Sequence, residues 1–290
     1  MQNIQFNKYR GFSFIVSAIL VAIAGLLMIF KGFNFSIDFT GGAVIEFSSQ
    51  GEEITEIQTR SLLKNLNIKD YSVQKTKEGI MIIKLGIKPS EASNFSFVIN
   101  LIKNSLSANF PKTDINFLKI DFVSPQIGEE LAFKAFMAVL ISLIGVLFYV
   151  SVRFELKYSL GAILALIHDA TLTLGFISLF SIPFDIATIA AILTVVGYSI
   201  NDSVVIFDRI REMFKIHQKM EAKKIIELSL NSTLSRTIIT SFTTLIAILA
   251  IILIGGEILR QFAVVIFFGI MVGTISSIFI APCFVFQKQE

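Results

Sequence analysis

The chain has 290 residues, of which 54% are hydrophobic and 16% charged, with a mean hydropathy of +0.74 and a formal net charge of +3. Soluble domains carry roughly 25% charge, so this composition excludes an ordinary soluble protein and points to a membrane protein. The one cysteine, Cys283, rules out an intrachain disulfide and a multi-cysteine zinc site, and two histidines leave little for any other metal, so no cofactor is expected.

Lys8 and Arg10 precede an uncharged run, Gly11 to Phe30. At 1.5 Å per residue it crosses a hydrocarbon core of about 30 Å, and with no small-residue cleavage site behind it we expect a retained span, not a secretory signal. Residues 1–33 are thus read as a cytoplasmic N-terminus and first transmembrane helix. A soluble piece follows at 34–130. Ala43–Ser48 reads as a strand, Glu52–Leu66 as an amphipathic helix, Tyr71–Thr76 and Ile80–Leu85 as a hairpin about a turn at 77–79. Ser90–Ala108 reads as a second helix after Pro89, and Asp114–Phe122 as a last strand. Strand, helix, strand, strand, helix, strand is the ferredoxin-like order. This piece lacks histidine and cysteine and shows no spaced carboxylate pair, so a binding module is expected there and not an enzyme.

Five more apolar runs follow, at about Ala135–Val152, Ser159–Phe180, Phe184–Phe207, Thr237–Ile254 and Phe262–Phe286. The expected fold class is a polytopic α-helical membrane protein with six transmembrane helices and one α+β ferredoxin-like extracytoplasmic domain between the first and second. Residues 131–290 hold helices two to six. Lys8, Arg10, Arg153, Lys157, Arg209, Arg211, Lys215, Lys219, Lys223 and Lys224 all fall on one face of this topology. By the positive-inside rule that face is cytoplasmic, which places both termini there. The stretch at about 208–232 has the spacing of an amphipathic helix and is expected to lie along the cytoplasmic surface. Its glutamates, Glu212, Glu221 and Glu227, make nucleic acid a poor partner.

The most informative stretch is Thr194–Glu212, TVVGYSINDSVVIFDRIRE, which sets Asp202 inside a spanning run. An ionised Asp at a helix centre costs about 2.5–3.5 kcal/mol on insertion scales, so such residues face a bundle interior, a partner or a water path. Thr194, Tyr198, Asp202, Val205 and Arg209 share one stripe, with Asn201 beside it; Ile200, Val204 and Phe207 lie opposite and are expected to meet lipid. His168 and Asp169 sit within the third span, and Arg236 opens the fifth, where Thr240 and Thr244 continue its face. Each group has a structural reading. Asp202 could be a neutral, hydrogen-bonded contact between helices, Arg236 a snorkelling anchor, and His168 with Asp169 a mutually satisfied pair. Four ionisable groups in three helices favour function instead, because Ser, Thr and Gly suffice for packing. Gly269 and Gly273 form a GxxxG pair read as a close helix contact.

Five motifs carry a resemblance: IDFTGG at 37–42, SPQIGEEL at 124–131, HD at 168–169, VGYSINDSVVIFDRIRE at 196–212 and LSRTIITSFTTL at 234–245. Together they resemble the SecF family, membrane subunits of the bacterial SecDF accessory to protein export, and more distantly the proton-driven RND transporters. The resemblance implies an RND-type half in the bacterial inner membrane. It implies SecD as partner, a twelve-helix assembly, and use of the proton-motive force to draw exported unfolded polypeptides from the SecYEG translocon, with YajC and YidC as accessory partners. Carried over by motif, Asp202 and Arg236 form the proton path. His168 and Asp169 support it, as do Asn201, Tyr198 and Thr240 around them, and the DFTGG segment with Asp38, Gly41 and Gly42 is a hinge that transmits motion. A transport role without enzymatic activity is therefore expected. The alternatives are a passive scaffold for SecD and an intramembrane aspartyl protease, which would need a second facing carboxylate where Asp202 has an arginine.

Overall fold

A computed structural model of the chain describes residues 4–51, 54–68, 71–76, 79–86 and 95–283. In chain order the elements are α1 (Phe6–Phe30), β1 (Asn34–Phe35), α2 (Ile37–Thr40), β2 (Gly42–Gln50), α3 (Glu56–Asn65), β3 (Tyr71–Lys75), β4 (Met81–Leu85) and α4 (Phe95–Asn109). There follow β5 (Asp114–Val123), α5 (Pro125–Arg153), α6 (Leu156–Leu179), β6 (Pro183–Phe184), α7 (Ile186–Ile216), α8 (Ala222–Ile254) and α9 (Glu257–Phe279). They form two compact units, Met1–Asn34 with Met137–Glu290, and Phe35–Phe136.

The first unit is a helical bundle. Six helices, α1 and α5 to α9, are long and apolar enough to cross a membrane. The chain is a multi-pass helical membrane protein. At 1.5 Å per residue, α7 and α8 run about 45–50 Å, well beyond a hydrocarbon core of about 30 Å. Their surplus takes up the stretch at 208–232. The stretch expected to lie along the surface as an amphipathic segment instead forms a hairpin, in which α7 continues to Ile216 and α8 starts at Ala222. Its apolar residues pack on helices: Ile210, Ile226 and Leu230 are buried with Phe6, Tyr158, Phe207 and Ile278. A second cluster, with Ile177, Ala191, Ile248, Val265 and Ile266, fills the opposite end.

Small residues set how closely the helices approach. A Cβ added at Gly269 of α9 would lie 2.2 Å from Val195 Cγ2 on α7, and one at Gly175 of α6 would lie 2.4 Å from the Ala24 Cβ on α1. The GxxxG pair is thus a close helix contact, as its spacing suggested. Polar bonds tie the basic end. Arg153 pairs with Asp208 at 2.7 Å, Arg10 donates to the Cys283 carbonyl, and Asn231 exchanges two hydrogen bonds with the Ile4 backbone. The lone cysteine is a buried free thiol.

The second unit holds an antiparallel sheet of order β3-β4-β2-β5, with a bulge between Glu46 and Phe47. Strand alternation puts Ala43, Ile45 and Phe47 of β2 and Met81, Ile83 and Leu85 of β4 on one face. That face is sealed by Leu62 and Leu63 of α3 and Ile99, Ile102 and Leu106 of α4. Thr55 begins α3 with a capping box, its hydroxyl accepting from the Gln58 amide while Gln58 accepts from the Thr55 amide. The expected turn residues 77 and 78, the helix start at 90–94 and the tail at 284–286 lie outside the described residues.

Candidate functional site: a polar network within the helical bundle

Asp202 sits in α7 with 4% of its surface exposed, and its Oδ2 is buried without a hydrogen-bond partner. From α8, the Ser241 hydroxyl lies in hydrogen-bonding reach of the carboxylate and the Arg236 guanidinium acts on it through space. Among the described residues no ion pair within 4.0 Å joins Arg236 to a carboxylate, and Arg236 lies on the exposed surface of this chain. One turn before Asp202, the Tyr198 hydroxyl lies 3.5 Å from Ser241 Oγ and 3.4 Å from Thr244 Oγ1. Thr274 of α9 donates to Ser241 Oγ at 2.8 Å. Hydroxyls from three helices therefore converge on Ser241, the one in reach of Asp202.

Asp169 of α6 has the opposite surroundings. It is fully buried, and its Oδ2 accepts from Ser199 of α7 and, at 2.7 Å, from Ser276 of α9. Its Oδ1 lies 2.8 Å from His168 Nδ1. Gly273 leaves room for this junction, since a Cβ there would stand 3.1 Å from the Ser199 Cβ and 3.6 Å from Asp169 Oδ2. His168 Nε2 is buried without a partner.

Other expected site residues do not join these clusters. Asn201 and Thr194 are exposed on this chain, and Thr240 turns its hydroxyl back to the Arg236 carbonyl at 3.0 Å. The face of α7 expected to meet lipid is in fact packed. Phe207 is fully buried against Tyr158 and Phe154, with ring centroids 5.5 and 6.0 Å away, and Ile200 and Val204 pack on the same cluster. The apolar face of α7 suits lipid and a neighbouring helix equally, and composition alone does not tell the two apart. Ser199, Ser241, Thr274 and Ser276 were missed by the sequence reading. The only signal was their position on the faces that carry Asp202, Thr237 and Gly273, in a chain rich in serine and threonine. No His, Cys, Asp or Glu cluster suited to a metal occurs among the described residues.

The GG segment packs within the second unit. Gly41 and Gly42 have φ of 68° and 135°, open to glycine but not to most residues. A Cβ on Gly42 would lie 2.3 Å from the Leu85 carbonyl oxygen, and one on Gly128 would lie 2.9 Å from the Gly41 nitrogen. The IDFTGG and SPQIGEEL motifs thus meet backbone to backbone. Asp38 acts electrostatically on Lys119 of β5, whose ammonium is held above its ordinary value first by its hydrogen bond to Asp121, with Asp121, Glu46 and Asp38 adding attraction.

Six membrane-spanning apolar helices, four of which enclose buried carboxylates and hydroxyls, define a multi-pass membrane protein. Residues 102–290 match the C-terminal model of the protein export membrane proteins SecD and SecF, and residues 26–52 match the SecD/SecF GG motif. The protein translocase subunit SecF of Rickettsia rickettsii is 44% identical over 278 residues, covering 95% of this chain and 89% of that one. Its counterpart in Rickettsia prowazekii is 43% identical. The crystal structure of SecDF from Thermus thermophilus, a translocon-associated membrane protein, superposes with a TM-score of 0.86 at 36% identity. That match covers 98% of this chain and 38% of the SecDF chain. SecDF in its super-membrane-facing form gives a TM-score of 0.71 at 37% identity. The chain belongs to the SecF protein translocase subunit family.

Proposed function

We propose that the chain pairs with SecD in the bacterial inner membrane and that together they use the proton-motive force to help draw exported, unfolded polypeptides out of the SecYEG channel, with YajC and YidC as accessory partners. Both termini and the α7–α8 hairpin face the cytoplasm, and residues 34–130 lie outside as a ferredoxin-like domain. The strand order β3-β4-β2-β5, with α3 and α4 on one face, supports that last reading. Asp202 loads and unloads the proton, Arg236 is its electrostatic companion, and the Asp38–Gly42 segment passes movement outward.

The carrying observation is the buried, unpartnered Oδ2 of Asp202, with the Ser241 hydroxyl in reach of the carboxylate and Tyr198 linking Ser241 to Thr244. A charged carboxylate with an unsatisfied oxygen is costly in an apolar bundle, whereas the neutral acid is tolerated. Adding or removing one proton there therefore changes which helix contacts are favourable. A proton crossing about 100 mV releases roughly 2.3 kcal/mol, comparable with the few kcal/mol that separate conformers of a switchable protein. The protease reading is weakened because the other intramembrane acid, Asp169, is engaged by Ser199, Ser276 and His168.

In vesicles holding the complex with SecD, Asp202→Asn is expected to lower gradient-dependent export at least tenfold while leaving insertion and SecD binding intact. Parental export from an intact mutant complex would overturn the proton reading and leave a scaffold.

A further inference from the structure

We propose that Asp169 is a positioning residue: it fixes the rotation of α7 and so determines where Asp202 points. The inference rests on reading Asp202 as the switching acid. A single oxygen, Asp169 Oδ2, accepts hydroxyl donors from two helices, Ser199 on α7, which carries Asp202, and Ser276 on α9. Ser199 precedes Asp202 by three residues, so the two lie almost one turn apart on neighbouring faces of α7. Ser276 follows Thr274 by two, and Thr274 donates to Ser241, whose hydroxyl is in hydrogen-bonding reach of the Asp202 carboxylate. Asp169 thereby holds α7 directly and α8 by way of α9, the two helices that carry Asp202 and Ser241.

Geometry makes this hold sensitive. A side-chain oxygen about 6 Å from a helix axis moves about 2 Å when the helix turns by about 20°, enough to break a hydrogen bond whose range is only a few tenths of an ångström. Gly273 keeps α9 close enough for Ser199 and Ser276 to reach the same oxygen. Asp169 serves as a fixed double acceptor, whereas Asp202 keeps an open oxygen. What the role requires is an oxygen accepting two O–H donors. The asparagine carbonyl meets that need, and its amide can face His168 Nδ1 in place of Oδ1.

The test uses the assembled complex with SecD and two readouts: gradient-driven export, and the rate at which dicyclohexylcarbodiimide, a reagent for carboxyls in apolar sites, modifies Asp202, with Asp202→Asn as the blank. Asp169→Asn is expected to stay within twofold of the parent in both. Asp169→Leu, and Ser199→Ala combined with Ser276→Ala, are expected at equal amounts of assembled protein to change the modification rate at least fivefold and to lower export about tenfold. Should the leucine variant fail to assemble, the serine pair decides. Asp169→Asn as inactive as Asp202→Asn would overturn the proposal and make Asp169 a proton carrier itself; parental modification in the serine pair would overturn it equally. If Asp202→Asn exports normally, the switching reading falls, while the modification rates still decide whether Asp169 positions that side chain.

Discussion

Asp169 and Asp202 are the same residue type on helices that pack together, and their neighbours give them different surroundings. Every oxygen of Asp169 is engaged, while Asp202 keeps one that is not. The glycines that permit this are unequal too. At Gly269 a Cβ would collide with Val195, whose branched side chain has little freedom to move aside, whereas at Gly273 it would only crowd Ser199. Gly269→Ala is therefore expected to destabilise the bundle by about 1–3 kcal/mol, the usual cost of overpacking. Gly273→Ala should cost visibly less, and thermal unfolding of the two variants in detergent checks the order.

Among elements, the α7–α8 hairpin and α3 carry the clearest expectations. An amphipathic segment lying on a membrane surface would tolerate loss of one apolar side chain facing the headgroups. In the hairpin, Ile226 is fully buried in one cluster with Phe6, Phe207 and Ile278. Ile226→Ala should thus cost about 2–5 kcal/mol, as buried aliphatic truncations do. Denaturant titration of the full chain would show it, and a change under 0.5 kcal/mol, the size of an ordinary surface substitution, would argue against the packing. For α3, removing the capping hydroxyl with Thr55→Ala is expected to cost about 1 kcal/mol, read as roughly fivefold faster hydrogen exchange of the first-turn amides.

For the whole molecule, the proposed orientation makes a prediction that needs no transport assay. Gln50 and Gln218 are exposed, and the native Cys283 is buried. A membrane-impermeant maleimide should label Gln50→Cys from outside intact spheroplasts and Gln218→Cys only after the membrane is opened. The reverse pattern would invert the topology. The second unit follows its sequence pattern closely, because alternation along β2 and β4 and helical spacing in α3 and α4 are local consequences of burying one face. The bundle follows its pattern only in part.

The six spans were legible in the chain itself, since the length and apolarity a bilayer demands are properties of each segment alone. So was the presence of acids at 169 and 202, because a charge inside such a run stands out against its neighbours. Tertiary structure alone decided that Phe207 packs on aromatic rings and that Arg236 stays on the surface of this chain. It also decided that Ser199, Ser241 and Ser276, ordinary residues in a serine-rich chain, are hydroxyls that meet the acids, with Thr274 bonded to Ser241 behind them. Which hydroxyl meets which carboxylate depends on the rotation and register of helices distant in sequence. Those are set by close contacts such as Gly269 on Val195, which no single segment encodes.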